Sequence, residues 1–205
     1  MSAPPLVWPW PLLAAVLGYA VGSLSPAAAI ARARGTDLRG AGSGNPGATN
    51  AGRVMGRRVG YLVGALDVLK GLVPVLVVGA VADPTSALVA GVAAVVGHCT
   101  SPWLRGHGGR GVATAFGAIL GAVPWWGLIG LAVFLAVVLA TRWVALGSVA
   151  AALSVVVVAL VAVLSGHDPM QERRLVWAGT LAAIVVFRHR HNLVGRWRQR
   201  TGRAA

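Results

Sequence analysis

Charged residues and cysteine are both scarce in this chain of 205 residues. Only 11% of the residues are charged, against roughly a quarter in a soluble domain, so the composition excludes an ordinary soluble protein. The single cysteine, Cys99, excludes an internal disulfide and a metal site built from several cysteines. The five acidic residues are scattered along the chain, and we therefore expect neither a bound metal nor another cofactor.

Hydrophobic residues, by contrast, make up 57% of the chain and occur in long runs rich in Ala, Leu and Val. In lipid every backbone polar group needs an internal partner, so only helices or a closed barrel can cross a membrane. The runs do not alternate with polar residues, which favours helices. We predict an all-α polytopic membrane protein that forms one domain over residues 1–205. The predicted helices cover residues 6–31, 57–81, 86–103, 112–122, 124–140, 144–165 and 174–188.

The positive charge of the chain indicates which way these helices cross. Cytoplasmic loops of membrane proteins carry an excess of Lys and Arg. No basic residue precedes Arg32, so the charged start of a secretory signal peptide is missing and we expect the first helix to begin outside. With seven spans, the loops at 32–58, 104–111 and 141–143 are cytoplasmic, and a basic cytoplasmic tail follows over residues 189–205.

This topology places every arginine except Arg173 and Arg174 on the cytoplasmic side. Joining residues 112–140 into one span would move Arg142 outside, so we predict seven transmembrane helices. The net charge of +13 would suggest nucleic acid in a soluble protein. Here membrane orientation and anionic lipid headgroups account for it, and no nucleic-acid partner is expected.

Residues 42–53, which read Gly-Ser-Gly-Asn-Pro-Gly-Ala-Thr-Asn-Ala-Gly-Arg, concentrate small polar side chains and glycines between two apolar runs. Glycines allow tight turns and the close approach of backbone to a ligand. The hydroxyls and amides supply hydrogen bonds, and the arginine supplies a fork suited to phosphate or carboxylate. A solvated loop would also be rich in Gly and Asn. The candidate phosphate-binding residues here are Ser43, Gly44, Asn45, Thr49 and Arg53.

A second glycine-rich segment, residues 108–114, runs directly into the predicted helix at 112–122. Free N–H groups and the positive dipole end at a helix N-terminus form an anion site, and an arginine within the segment would add charge-assisted hydrogen bonds. Glycines in membrane helices also serve close packing. Because this segment shares the cytoplasmic side with residues 42–53, we predict that Gly108, Gly109, Arg110 and Gly111 also bind substrate phosphate.

Polar residues within or beside the predicted helices extend this set. Asp67 and Lys70 are three residues apart, so they share one helix face and can pair, either as part of a site or as a structural ion pair. His98 is either a third residue that supports the site or a hydrogen-bond donor at the end of its helix, and we favour the second interpretation. A basic cluster beside the membrane would explain the arginines near His189 and Asn192, but not these two residues.

Taken together, these segments resemble the bacterial acyl-phosphate:glycerol-3-phosphate acyltransferases. The resemblance is carried in order by residues 42–53, Leu-Asp-Val-Leu-Lys-Gly at 66–71, Gly-His at 97–98 and Gly-Gly-Arg-Gly-Val-Ala-Thr at 108–114. It implies a seven-helix enzyme of the bacterial inner membrane whose active site faces the cytoplasm. It also implies the catalytic residues Ser43, Arg53, Arg110, Ser148, His189 and Asn192.

The reaction that the resemblance implies is the first acylation of phospholipid synthesis. A fatty acyl group would move from acyl phosphate to the 1-hydroxyl of glycerol 3-phosphate, giving lysophosphatidic acid and phosphate. Three positions depart from the family pattern: Arg110 replaces the usual lysine, Ala145 replaces the usual serine, and no glutamate follows Asn192. A divergent paralogue with low activity or altered substrate preference therefore remains an alternative.

Two other functional classes compete with an acyltransferase. A transporter for a phosphorylated or other anionic solute would also use broken helices and anion-binding loops. It predicts similar segments in the two halves of the chain, whereas residues 42–53 have no counterpart after Ala115. An inert membrane scaffold would not need four polar segments on one membrane face.

A reporter fused after Ala205 tests the predicted topology. We expect activity only from a reporter that works in the cytoplasm, because the basic residues near this end favour the cytoplasmic side. Activity from a periplasmic reporter at the same position would overturn the count of seven spans.

Overall fold

The computed structural model describes residues 9–166 and 169–201. Within these residues the chain forms nine α-helices, a short 3₁₀ turn at Pro102–Leu104 and no β-strand, which confirms the all-α prediction. The helices are α1 (Trp10–Ser23), α2 (Pro26–Ala33), α3 (Ala48–Met55), α4 (Arg57–Val81), α5 (Pro84–Cys99), α6 (Val112–Ala122), α7 (Pro124–Thr141), α8 (Val144–Ser165) and α9 (Pro169–Thr201).

Five segments among the described residues are long and apolar enough to cross a membrane. Helix α6 is apolar but has only 11 residues, and the apolar part of the 33-residue α9 is flanked by arginines. The five segments are Trp10–Ala33, Arg57–Val81, Pro84–Leu104, Pro124–Thr141 and Val144–Ser165.

Helices α4, α6 and α8 have the bounds predicted from their apolar runs, but the prediction of one helix over residues 6–31 was wrong. The described part of that segment breaks at Leu24, which is extended, and α2 begins after it. Ser25 accepts a hydrogen bond from Ala28 N–H as the N-cap of α2. Pro26 follows at the first helical position, where its missing N–H and fixed φ are tolerated, whereas it would disrupt a continuous helix.

Two further helical segments were predicted as irregular chain. Residues 48–55 form α3, which is too short and polar for an apolar run to reveal it. Helix α9 continues past residue 188 to Thr201, so His189 and Asn192 lie within the helix and not after it. Residues 188–201 contain no proline and many residues that favour helix, which explains the continuation. Of the predicted tail, residues 202–205 lie outside the described part.

The chain divides into two compact units, the first ending at Pro124 and the second beginning at Trp125. In the first unit, α1 lies directly against α5. A methyl group on Gly18 would collide with Ala90 O, and one on Gly22 would collide with Ala94 O. Because both contact positions advance together along the chain, α1 and α5 are parallel. Small residues of this kind allow helix backbones to approach closely in membranes.

Helix α4 carries both α3 and α6 on one stripe. Helix α3 runs antiparallel to α4, since Ala48 packs on Gly64 and Gly52 packs on Gly60. Helix α6 runs parallel to α4 and contacts the same face closer to the C-terminus of α4. The backbone of Thr114 lies against Gly71, and Gly121 lies against Val75. Positions 60, 64, 71 and 75 recur at the three- and four-residue spacing of one helix face.

The second unit contains the antiparallel helices α8 and α9, joined by a short connection, and α7. Gly130 of α7 packs against Val155 of α8, where a methyl group on the glycine would lie 3.1 Å from Val155 Cγ2. Gly147 of α8 lies equally close to Phe134, with a corresponding distance of 3.1 Å to its carbonyl oxygen. Glycine contacts therefore pack α7 against α8, whereas Gly179 of α9 has no neighbouring atom within 4 Å of an added methyl group.

Replacement of Gly71 tests the contact between α4 and α6. In Gly71→Ala the new methyl group would collide with Thr114 O and lie 2.8 Å from Ala118 N, so we expect a loss of about 1–3 kcal/mol, measured by thermal unfolding in detergent. Gly79→Ala is the matched control in the same helix. Its methyl group would lie 3.6 Å from Ala87 Cβ, which is an ordinary van der Waals distance. Equal unfolding temperatures for the two variants would contradict this packing.

Candidate active site

The loop before α3 is organised by Asn50, whose side chain is 1% exposed. Its Oδ1 accepts a hydrogen bond from Ser43 N–H at 2.8 Å, and its Nδ2 donates to Leu38 O at 3.2 Å and to Ala41 O at 3.1 Å. Asn50 therefore folds residues 38–43 over the start of α3. Its burial and its three hydrogen bonds make Asn50 a structural residue of the loop.

Other residues of this loop keep their polar groups accessible. Ser43, Thr49 and Arg53 are exposed, and Asn45 is half-buried. Gly44 has φ 66°, in the left-handed region that favours glycine. Four of the predicted phosphate-binding side chains thus remain available, while Gly44 contributes the backbone conformation.

The N-terminus of α3 has no side-chain cap. Its N-cap is Gly47, and the first hydrogen bond runs from Ala51 N–H to Gly47 O. The N–H groups of residues 48–50 consequently have no acceptor among the described residues. Such a helix end favours an anion, because the free N–H groups coincide with the positive end of the helix dipole.

The second glycine-rich segment folds back on the end of α5. Gly108 N–H donates to Cys99 O at 3.1 Å, and Gly109 N–H donates to His98 O at 3.0 Å. These two N–H groups therefore cap the carbonyl end of α5 and are already engaged within the chain. This loop is also tied to the first polar segment, because Arg39 Nη2 donates to Leu104 O at 2.8 Å.

The donors of this segment that stay open lie at the N-terminus of α6. The N-cap is Gly111, at φ 82° and without a side-chain cap, and the first hydrogen bond runs from Ala115 N–H to Gly111 O. The N–H groups of residues 112–114 have no acceptor in the part of the chain that the structure describes. Arg110 is half-buried and directly precedes this N-terminus. The predicted anion donors of the segment are thus Arg110 and the first turn of α6.

The N-termini of α3 and α6 are directed toward the same stretch of α4. Ala48 lies at the level of Gly64, and Thr114 lies at the level of Gly71. These levels are separated by about 10 Å along α4, given a rise of about 1.5 Å per residue. Because α3 is antiparallel and α6 parallel to α4, the positive ends of both helices converge on this stretch.

Three buried ionisable side chains cluster beside this stretch. Asp67 Oδ1 lies 3.0 Å from Lys70 Nζ, which confirms that these residues pair. Lys70 Nζ also lies 2.9 Å from His98 Nδ1, and Asp67 Oδ1 lies 3.6 Å from the same nitrogen. The preferred interpretation of His98 as a hydrogen bond at its helix end was therefore incomplete. The approach of α5 to α4, which the sequence does not show, gives its ring a charged partner.

The second unit holds the three remaining candidate residues on α8 and α9. Ser148 and His189 are each 2% exposed, and Asn192 is half-buried. Ser148 Oγ donates to Val144 O at 2.8 Å, and His189 Nδ1 lies 2.8 Å from Val185 O. Ser148 is 17 residues before the end of α8 and His189 is 20 residues after the start of α9. In this antiparallel pair they therefore occupy similar levels at the same end.

Comparisons with known proteins identify the family of the chain. The family model described as glycerol-3-phosphate acyltransferase matches residues 12–199. The chain is 43% identical to a glycerol-3-phosphate acyltransferase of Geobacter sulfurreducens, covering 89% of this chain and 91% of the relative. It is also 43% identical to glycerol-3-phosphate acyltransferase 1 of Deinococcus radiodurans, covering 89% of each.

The fold is similar to that of a solved relative. Crystal structures of PlsY (YgiH), an integral membrane glycerol 3-phosphate acyltransferase, match with TM-scores of 0.84 for the glycerol 3-phosphate form and 0.82 for the lysophosphatidic acid form. Both are 34% identical in sequence, and each match covers 95% of this chain and 94% of the other. The chain therefore belongs to the glycerol-3-phosphate acyltransferase family.

Proposed function

We propose that this protein transfers a fatty acyl group from acyl phosphate to the 1-hydroxyl of glycerol 3-phosphate, with lysophosphatidic acid and phosphate as products. The observation that carries this proposal is the convergence of two uncapped helix N-termini on residues 64–71 of α4. Both proposed substrates bear a phosphate, so the reaction needs two anion-binding groups held close together. Arg53 and Arg110, one in each segment, supply the fixed positive charges.

The reaction needs no nucleophile from the protein. Acyl phosphate is an activated mixed anhydride, so the 1-hydroxyl oxygen attacks the acyl carbon directly. The new carbon–oxygen ester bond forms while the bond from the acyl carbon to the phosphate oxygen breaks. Phosphate leaves, and the hydroxyl proton passes to a phosphate oxygen of a substrate. The work of the enzyme is then to hold and orient two anionic groups and to stabilise the charge that develops.

Ser148, His189 and Asn192 have a different role in this proposal. The Ser148 hydroxyl donates its hydrogen to Val144 O, which leaves its oxygen as an acceptor. The carbonyl of Val185 only accepts, so His189 Nδ1 carries a proton, and Nε2 is the acceptor in the neutral ring. Acceptors suit the hydroxyl groups of glycerol 3-phosphate better than its phosphate. Within the second unit, Ser148 and His189 thus offer acceptors that suit a hydroxyl group, and the Asn192 amide can both donate and accept.

The same proposal includes the membrane topology. Seven spans, an external N-terminus and a cytoplasmic C-terminus would place the polar segments of the first unit on the cytoplasmic side of a bacterial inner membrane. The parallel pairs α1 with α5 and α4 with α6 support alternating crossings in that unit. Helix α9 has 33 residues and is about 50 Å long, whereas the hydrocarbon core is about 30 Å thick. Its basic end would therefore extend beyond the lipid.

Phosphate release by the purified protein tests this function. We expect release from acyl phosphate only when glycerol 3-phosphate is present. Arg53→Ala should lower the activity on the order of tenfold to a hundredfold, because a charge-assisted hydrogen bond is worth about 1.5–3 kcal/mol. Arg58→Ala is the matched control, since Arg58 is also an exposed arginine but lies outside the polar segment, at the start of α4.

Phosphate release without glycerol 3-phosphate, or none with it, would argue against the acyltransferase reaction. If the protein instead carried glycerol 3-phosphate across a vesicle membrane, the transporter would be favoured. Equal activity of the Arg53→Ala and Arg58→Ala variants would show that Arg53 is a solvated side chain with no role in binding phosphate.

Substitutions of Arg110 test whether the second segment binds phosphate. Arg110→Gln keeps most of the side-chain length and removes the charge, so we expect a higher KM for glycerol 3-phosphate and weaker inhibition by inorganic phosphate. Arg110→Lys keeps the charge and should retain activity if a positive charge is sufficient. It should lose affinity if the site uses the two-pronged guanidinium. Wild-type kinetics and unchanged phosphate inhibition in Arg110→Gln would leave the segment with a packing role.

A further inference from the structure

We infer that Lys70 and His98 are positioning residues for acyl transfer, an inference that rests on the function proposed above. Neither residue needs to touch a substrate. Lys70 fixes the ring of His98, and His98 in turn fixes the backbone of Gly109. The glycine-rich loop then holds Arg110 and the first turn of α6 where phosphate is proposed to bind.

Lys70 lies in the middle of α4, is 6% exposed and is held by hydrogen bonds. Its ammonium group has three donors and no acceptor. Nζ donates to Leu24 O at 2.5 Å, contacts His98 Nδ1 at 2.9 Å and pairs with Asp67 Oδ1 at 3.0 Å. Two hydrogen bonds and one ion pair therefore hold the side chain between the break after α1, the turn of α4 that carries Asp67, and α5.

The contact with Lys70 determines the tautomer of His98. Because the Lys70 ammonium group can only donate, His98 Nδ1 must accept. The proton of the neutral imidazole is then on Nε2. Lys70 thus selects both the tautomer and the orientation of the ring.

The ring of His98 contacts the glycine-rich loop at Gly109. A methyl group on Gly109 would collide with His98 Nε2 and lie 2.8 Å from Cε1 and 3.0 Å from Cδ2. The ring therefore covers the Cα atom of Gly109 directly. The N–H of Gly109 donates to the backbone carbonyl of the same histidine at 3.0 Å. His98 consequently holds Gly109 through both its backbone and its side chain.

The contact between His98 and Gly109 lies next to the groups that are proposed to bind phosphate. Arg110 follows Gly109 immediately, and Gly111, the N-cap of α6, follows Arg110. Gly71, next to Lys70, packs against the backbone of Thr114 in the first turn of α6. Lys70 and Gly71 are adjacent in α4. Lys70 therefore positions the glycine-rich loop through His98, and Gly71 positions the start of α6. Misplacement of about 1 Å at such a site can cost a hundredfold in rate.

His98→Asn separates positioning from simple stability. The asparagine side chain can still accept a hydrogen bond from Lys70, but it lacks the part of the ring that covers Gly109. Ser86→Ala is the control: Ser86 is a fully buried polar residue of the same helix, and its hydroxyl bonds to Asp83 at the opposite end of α5. The double variant Asp67→Leu/Lys70→Leu provides an independent test, because it removes both buried charges together and leaves neither unpaired.

The measurements are kcat, KM for glycerol 3-phosphate, the inhibition constant of inorganic phosphate, and the thermal unfolding temperature. For His98→Asn and for the double variant we expect kcat/KM to fall about tenfold to a hundredfold, with a raised KM and weaker phosphate inhibition. Ser86→Ala should change the unfolding temperature without changing KM.

Three outcomes would overturn these conclusions in distinguishable ways. Absence of transfer in the wild-type protein would refute the proposed function, and the positioning role with it. An active wild type with unchanged KM and phosphate inhibition in His98→Asn would refute the positioning role alone. A lower unfolding temperature with wild-type KM in His98→Asn and in the double variant would show that the cluster is only structural.

Discussion

Backbone hydrogen bonding inside an apolar environment is the constraint on which this structure depends. Where water is excluded, each carbonyl or N–H group left by a broken helix needs a partner within the chain. At the break after α1, Lys70 donates to Leu24 O and Ser101 donates to Ser23 O. At the end of α5, Gly108 and Gly109 supply the missing donors. The N-termini of α3 and α6 differ because their first N–H groups are left open, and an anionic substrate would complete them.

Glycine contributes to this arrangement mainly by allowing close approach. Gly60 and Gly64 let α3 lie on α4, and Gly71 lets the start of α6 reach the same helix face. A methyl group at Gly60 would collide with Gly52 of α3, and one at Gly71 would collide with Thr114 O of α6. The phosphate-binding geometry that we propose is therefore set by contacts outside the two polar segments as much as by the residues within them.

The sequence predicted those elements whose signal is local. Long apolar runs located α4, α6 and α8, and spacing alone paired Asp67 with Lys70. The eight residues of α3 form no apolar run, because their buried face is small and is completed by α2 and α4. The structural role of Asn50 depends on loop carbonyls up to twelve residues away. The partner of His98 depends on the packing of α5 against α4, so neither role can be read from a local pattern.

The buried charges also explain how an acidic residue is tolerated beside a proposed phosphate site. Asp67 lies on α4 between the levels of Gly64 and Gly71, where the positive ends of α3 and α6 converge. An unpaired carboxylate there would be attracted to the same helix ends as the substrate and would repel its phosphate. Lys70 neutralises Asp67 at 3.0 Å and directs its remaining donors to Leu24 and His98. The pair therefore adds no net negative charge to the stretch of α4 on which the two helix dipoles converge.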